Sequence, residues 1–346
     1  MASGKKVFII GPGFIGWNVV ELLVKEGYSV TGYVRRKEHA DGIKASGADV
    51  VMGDLDDTAK ITEQVAQFDV VIHTATADHL PSVEAVIDGI KKGAAKGHMT
   101  SFIHTSGASV LDDGSKGSAR SDRVYSDKTR HDIDTVPDDA PHRPIDLAIV
   151  KAQKELAGKA KLAIIVPPLI YGYTHGRGTI QLPTLARFGL KHGYVPCIDK
   201  GLGIGANIHV LDLARAYIYI LHHLESSTPE QTLENPYFFC EGSGDAEPSW
   251  KEYAQGVAAS LHQAGAKVDS QPRSLTSEEL YGDLLGPYTT AVFAMNTRNR
   301  AERLRGLGWE AREKDWKQSW VEDELPRVLE EGDTRFGGYA PIGDKA

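Results

Sequence analysis

The chain has 346 residues, 41% hydrophobic and 25% charged, with 39 Lys and Arg against 47 Asp and Glu for a formal charge of -8. That length can bury a large core, as about two domains or one α/β domain with an appendage, and the acidic balance argues against a broad nucleic-acid footprint. Two cysteines, Cys197 and Cys240, exclude a disulfide scaffold and offer no metal spacing, while no stretch approaches the roughly 18 apolar residues of a membrane span and none before Gly11 suits a signal peptide.

The expectation is therefore a cytoplasmic protein that acts on small molecules. Short β-rich apolar runs at 6–10, 29–34, 49–52, 69–74, 101–105 and 162–166 predict strands. Helical stretches at 14–26, 58–67, 81–96 and 147–158 separate them. Such an alternation predicts an α/β fold, a Rossmann-type doubly wound parallel sheet. Residues 111–144 are rich in Asp, Gly, Ser and Arg and lack periodicity, which reads either as a functional loop or as a disordered surface insertion. Beyond residue 170 the pattern is irregular, with strands at 206–210 and 237–240 and helices at 211–224, 250–264 and 316–330. The expected organisation is a nucleotide-binding domain over 1–170, to which 205–225 return, and a smaller interleaved C-terminal substrate region over 171–346.

The first strand runs into Gly11-Pro12-Gly13-Phe14-Ile15-Gly16, which opens the first helix. In that context Gly11 permits a tight turn, Gly13 admits a pyrophosphate to the backbone, and Gly16 lets helix and strand pack closely. The N–H groups of Phe14 and Ile15 at the helix start face the phosphates. The second strand ends Tyr33-Val34-Arg35-Arg36, without the acid that normally holds a ribose 2′-hydroxyl. Arg35 and Arg36 favour a 2′-phosphate instead, and the expected cofactor is NADP(H). Asp54 and Leu55 either flank the adenine or, for Asp54, cap the next helix. Thr74 and Ala75 are small enough to admit the cofactor at the sheet edge.

Taken with Ile103-His104-Thr105-Ser106-Gly107, Pro167-Pro168-Leu169-Ile170-Tyr171-Gly172 and Asn207-Ile208-His209-Val210-Leu211-Asp212-Leu213-Ala214-Arg215-Ala216, these motifs resemble the extended short-chain dehydrogenase/reductases. That superfamily includes the NAD-dependent epimerase/dehydratases and dihydroflavonol-reductase-like enzymes. The resemblance implies a Ser, Tyr and Lys at the nicotinamide, with Tyr-x-x-x-Lys on one helix. Ser106 matches the serine, Lys151 the lysine, and Leu147 stands where the tyrosine belongs; Pro167 falls at the cofactor. Substitute proton donors include Tyr125 on the long loop, Tyr171, Tyr173, His142 and His175, each of which also has a structural reading. The resemblance also implies a homodimer through the helices 81–96 and 147–158.

Three functions follow as expectations. One is an NADP(H)-dependent oxidoreductase acting on an organic carbonyl or alcohol through Ser106, Lys151 and an atypical proton donor. A second is an NADP(H)-binding regulator without catalysis, and a third is a non-redox isomerase, lyase or cyclase on the same fold.

Overall fold

The structure is a computed structural model and describes residues 4–332 apart from 157 and 245. The tail of the expected substrate region, 333–346, therefore lies outside the described residues. Strands β1 (Lys6–Ile10), β2 (Ser29–Val34), β3 (Asp49–Met52), β4 (Val70–His73), β5 (Thr100–Thr105), β6 (Ala160–Val166) and β7 (Tyr237–Phe239) form one parallel sheet. Its order is β7-β6-β5-β4-β1-β2-β3. The sheet leaves β1 in both directions, through β2 on one side and β4 on the other, and a crevice opens between their carboxyl ends. Both faces are covered, so β1 is apolar after Lys6: Val7, Phe8, Ile9 and Ile10 are all inaccessible to solvent. Each such side chain contributes roughly 1.5–3 kcal/mol relative to exposure.

Helices α1 (Gly16–Lys25), α2 (Lys37–Ala45), α3 (Thr58–Val65), α4 (Leu80–Ala94) and α5 (Arg143–Leu156) follow successive strands. The second was not foreseen, because 37–45 is mostly polar and buries only Ala40 and Ile43. The fifth begins a turn earlier than the expected residue 147. Its first turn holds Pro144, which is tolerated there because its missing N–H costs nothing.

Helices α6 (Gln181–His192), α7 (Val210–Ser226) and α8 (Trp250–Gln263) belong to the later region. Helix α7 packs back onto α1, β5 and β6. His209 caps it by accepting from the Leu211 N–H, and Asp212 accepts from the Arg312 and Glu313 N–H groups. The His-Val-x-Asp motif thus fastens the late chain to the sheet. A second apolar core gathers α6, α8, Trp316, Trp320 and Val328. The expected helix over 316–330 runs without a gap from Trp316 to Glu331 and carries a π-turn at Trp320–Glu324, where Glu324 accepts from the Gly172 N–H at 2.9 Å.

Residues 111–144 are anchored. The Asn296 amide donates to Asp113, to Ser115 Oγ at 2.7 Å and to the Ala119 carbonyl, and accepts from the Ser121 and Ile204 N–H groups. Buried Asp127 accepts from the Phe239 and Arg303 N–H groups. Tyr125–Ser126 pairs with Asn299–Arg300. As for pairing between copies, Val150 and Leu156 are taken by the core. The outward positions of α4 and α5 carry Glu84, Asp88, Lys91, Lys151 and Glu155.

Two histidines lie side by side inside the sheet, His73 on β4 and His104 on β5, with ring centroids 5.3 Å apart and no exposure. His73 Nε2 meets Ser82 Oγ at 3.2 Å, whereas neither His104 nitrogen has a partner. Burial holds both neutral, pushing His73 down to about 4 and His104 well below its usual value. Unfolded histidine protonates near 6.5, so below that pH the unfolded chain takes up protons the folded one refuses, and stability falls. Buried Asp127, Asp146 and Glu324, pushed up to about 6, 7 and 8, act in the opposite sense but are common to wild type and variant. His104→Leu is therefore expected to stabilise the protein by about 1–3 kcal/mol at pH 7.5, the cost of a buried unsatisfied group. The gap between variant and wild type should widen at pH 5.5 in urea unfolding; a gap that is constant or inverted contradicts this account.

Candidate active site

The crevice between β1 and β4 is narrow because its walls touch. Gly11 has φ +75, and a Cβ there would collide with Ala75; a Cβ on Gly16 would strike Thr74 Oγ1. Thr74 Oγ1 also donates to the Gly11 carbonyl at 2.8 Å. Gly13 is different: only the Gly11 carbonyl lies within 4 Å of where its Cβ would be, so the space above it is open. The N–H groups of Phe14 and Ile15 form no hydrogen bond within the chain among the described residues. An open glycine beneath free N–H groups at a helix start fits a dinucleotide pyrophosphate.

At the end of β2, Arg35 and Arg36 are exposed, and neither is in an ion pair among the described residues. Asp54 is engaged locally, accepting from the Asp56 and Asp57 N–H groups at 2.9 and 3.2 Å, with Leu55 half-buried beside it. These bonds close a turn ahead of α3, whose N-cap residue is Asp57, so Asp54 does not itself cap the helix.

The other half of the site departs from expectation. Lys151 points away from the crevice: its side chain is 80% exposed and lies 4.0 Å from Glu155 on the outer face of α5. Leu147 does not line the cavity, and neither does Tyr125. The Tyr125 N–H bonds to the Arg298 carbonyl, and the Arg123 guanidinium covers the ring at 4.2 Å. Helix α5 presents to β5 a different stripe from the one that the Leu147–Lys151 spacing implies. Its inward groups are His142, just before the helix, and Asp146, four residues on. Ser106 Oγ donates to Asp146 at 3.0 Å, and Ser109 Oγ lies 2.6 Å from His142 Nε2. His142 Nδ1 lies 2.7 Å from Asp78, so Asp78, His142 and Ser109 form one hydrogen-bonded chain.

Local backbone supports this array. His142 sits at φ +67, a left-handed conformation that costs a non-glycine residue roughly 1–3 kcal/mol and that tertiary contacts must enforce. Gly107 leaves room for the ring, since a Cβ there would come within 3.0 Å of His142 Nε2. Burial disfavours the imidazolium, but the hydrogen bond and charge of Asp78, with Asp146 adding, outweigh it and raise the His142 pKa. Burial pushes the Asp146 carboxyl up to about 7 against the opposing effects of Ser106 and His142. A histidine that prefers its proton, joined to a hydroxyl, can deliver that proton to an oxygen placed against Ser109.

These groups open onto a cavity of about 1100 Å³, at or above the upper end of ordinary ligand pockets of roughly 300–1,000 Å³. Thr74, Ala75, Ser106 and Pro167 line its nucleotide side, with Asp78, Ser109 and His142 beyond them. The far side is lined largely by apolar and aromatic groups, among them Phe188, Trp250, Leu284, Leu285, Tyr288 and Val292. Sequence reasoning named His142 only as one of several titratable candidates and missed Ser109 and Asp78. The Ser109 signal was present, three residues beyond Ser106 in the same turn. Asp78 carried none, being 64 residues from His142. Among the described residues, no cluster of His, Cys, Asp or Glu could hold a metal ion, and no helix is long and apolar enough to cross a membrane.

Residues 11–134 match the NAD(P)H-binding family. The oxidase ucsJ of an Acremonium species is 27% identical over 331 residues, covering 88% of this chain and 92% of that one. Phenylcoumaran benzylic ether reductase Pyrc5 of Pyrus communis is 35% identical over 101 residues, covering 27% of this chain and 33% of that one. The NAD complex of UDP-glucuronic acid 4-epimerase from Bacillus cereus superposes with a TM-score of 0.65 at 14% identity, covering 94% and 99% of the two chains.

The geometry makes two expectations for the site. Asp78→Asn should lower the His142 pKa, read from its ring resonances in an NMR pH titration; an unmoved value would mean that Asp78 does not hold the imidazolium. Lys151→Ala should leave NADPH affinity unchanged in a fluorescence titration, and a marked loss would return the lysine to the site.

Proposed function

From an NAD(P)H-binding domain on the fold of the extended short-chain dehydrogenase/reductases and NAD-dependent epimerases, we propose that this protein is an NADP(H)-dependent oxidoreductase in which His142 replaces the usual tyrosine. The observation that carries this reading is the Asp78–His142–Ser109 chain, which opens onto the same cavity as the glycine crevice. A bound nicotinamide supplies hydride to a carbonyl carbon, or takes it from an alcohol. As charge develops on the carbonyl oxygen, Ser109 Oγ–H donates a proton to it, and His142 Nε2–H restores the hydroxyl. Asp78 accepts from Nδ1, fixing the ring and favouring the imidazolium before transfer. Ser106 is a positioning residue, held by Asp146 beside the reacting oxygen. In the oxidative direction the same chain runs backward, with neutral His142 as base.

The preference for NADP(H) rests on Arg35 and Arg36 and on the absence of an acid at the end of β2. The apolar and aromatic groups of the far wall favour an extended, aromatic or otherwise hydrophobic carbonyl compound, and the two cations that share that wall, Arg187 and Lys191, are paired with Glu331 and Asp283. The reductase from Pyrus communis, with an aromatic ether in its name, is consistent with that class.

The test is to incubate the protein with NADPH deuterated at either face of C4 and a metabolite extract, then search for labelled products by mass spectrometry. Label should appear with wild type, and His142→Phe should slow its transfer by about 10²–10⁴-fold, the usual cost of a lost general acid. The rate of reduction should fall as pH rises through the elevated His142 pKa, because only the protonated ring donates. Binding of NADPH without transfer of label would leave the regulator reading.

A further inference from the structure

A hairpin of Tyr173–Thr174 and Arg177–Gly178 follows β6 and belongs to the expected substrate region, yet it docks on the nucleotide side. Thr174 Oγ1 accepts from Asn18 Nδ2 on α1 at 3.0 Å. His175 stacks on Trp17, with centroids 4.5 Å apart and planes 4° from parallel. The same Trp17 ring lies 5.3 Å from His39 on α2, and its Nε1 donates to Ser46 at 2.9 Å. Trp17 therefore bridges the hairpin tip to the helix that begins directly after Arg36.

Three basic groups meet there. Arg36 is the N-cap residue of α2, and His39 follows within its first turn. Arg177 comes from the hairpin and is half-buried. Among the described residues no carboxylate pairs with Arg36 or Arg177. His39 Nε2 is buried without a hydrogen-bond partner. Their proximity is felt electrostatically: burial, then Arg177, with Arg36 adding, pushes His39 down to about 4, and burial with Arg36 lowers Arg177. In a chain with 47 acidic residues, the half-buried guanidinium of Arg177, without a carboxylate and set near Arg36 and an orphaned ring nitrogen, suits an anion.

We infer that Arg177, with Arg36 and His39, grips the 2′-phosphate of NADP(H), so that the hairpin supplies from the substrate side the second cation of a clamp whose first stands at the end of β2. The inference rests on the NADP(H) reading and adds to it a specificity residue that the β2 sequence does not contain. A guanidinium on each side of a phosphate allows paired, charge-assisted hydrogen bonds, and the His39 ring can add a third donor. Binding of the adenosine end then also fixes the hairpin, and with it one border of the cavity, since Gly178 and Thr179 line it.

Isothermal titration of the full chain with 2′,5′-ADP, ADP, NADPH and NADH tests this for wild type, Arg177→Ala and Arg177→Lys. Arg177→Ala should weaken 2′,5′-ADP and NADPH by roughly ten- to a hundredfold, the effect of a charge-assisted bond. ADP and NADH should bind it as they bind wild type, which also reports that the variant is folded, and Arg177→Lys should recover part of the loss. Equal weakening of ADP and 2′,5′-ADP would assign Arg177 to the diphosphate and overturn the inference. So would an unchanged Arg177→Ala in a protein that prefers NADPH, although the NADP(H) reading would survive. A wild type that binds NADH as tightly as NADPH would remove both.

Discussion

The contact between the turn after β1 and the turn after β4 sets the dimensions on which the rest depends. Gly11 lies against Ala75 and Gly16 against Thr74, with the Thr74 hydroxyl bonded to the Gly11 carbonyl. No side chain fits between them, so α1 begins close to the sheet and its first N–H groups are delivered to the mouth of the crevice. The positions of Asp78, carried on the same turn as Ala75, and of His142 opposite follow from that closeness. One steric constraint thus scales both halves of the site.

Across the crevice, β5 and α5 are joined by polar rungs, Ser106 with Asp146 and Ser109 with His142. The inner rung is dry: Asp146 is fully buried, and its carboxyl is raised by desolvation. The outer rung faces the cavity and is tied to Asp78, which pulls the histidine the other way. Two titratable groups four residues apart are thereby driven toward protonation by different physics, the acid by lack of water and the base by a partner charge. Separating such roles by environment rather than by residue type is how a small site keeps its donors loaded near neutral pH.

Much of the frame was legible in the sequence. Strand and helix alternation gave the parallel sheet because buried strands read as short unbroken apolar runs, and the glycine spacing located the nucleotide turn because only one residue type fits those contacts. His209 and Asp212 stood out as a motif and prove to be caps and fasteners. The proposed catalytic side was less legible for a local reason and a distant one. Locally, the first turn of α5 was read as part of the long loop, and the Leu147–Lys151 spacing lies on a face of the helix where Lys151 is exposed. At a distance, the partners that give His142 and Arg177 their meaning lie on other elements, such as Asp78, 64 residues from His142. Pattern reading along the chain has no access to such pairings.

The part that one side-chain amide plays in fastening residues 112–121, beside the bonds from the Leu202 N–H to the Gly117 carbonyl and from Arg298 to the Ser121 carbonyl, has a chemical corollary. Asn296 offers its two N–H bonds to Asp113, Ser115 and the Ala119 carbonyl, while its oxygen accepts from two backbone N–H groups. Hydrolysis of that amide would keep its shape and the acceptor side but erase every donor, setting a new carboxylate against that of Asp113. The loop would be expelled by charge rather than by bulk. Burial to 3% exposure shields the bond from water, so the donor side of this anchor lasts as long as that side chain stays dry.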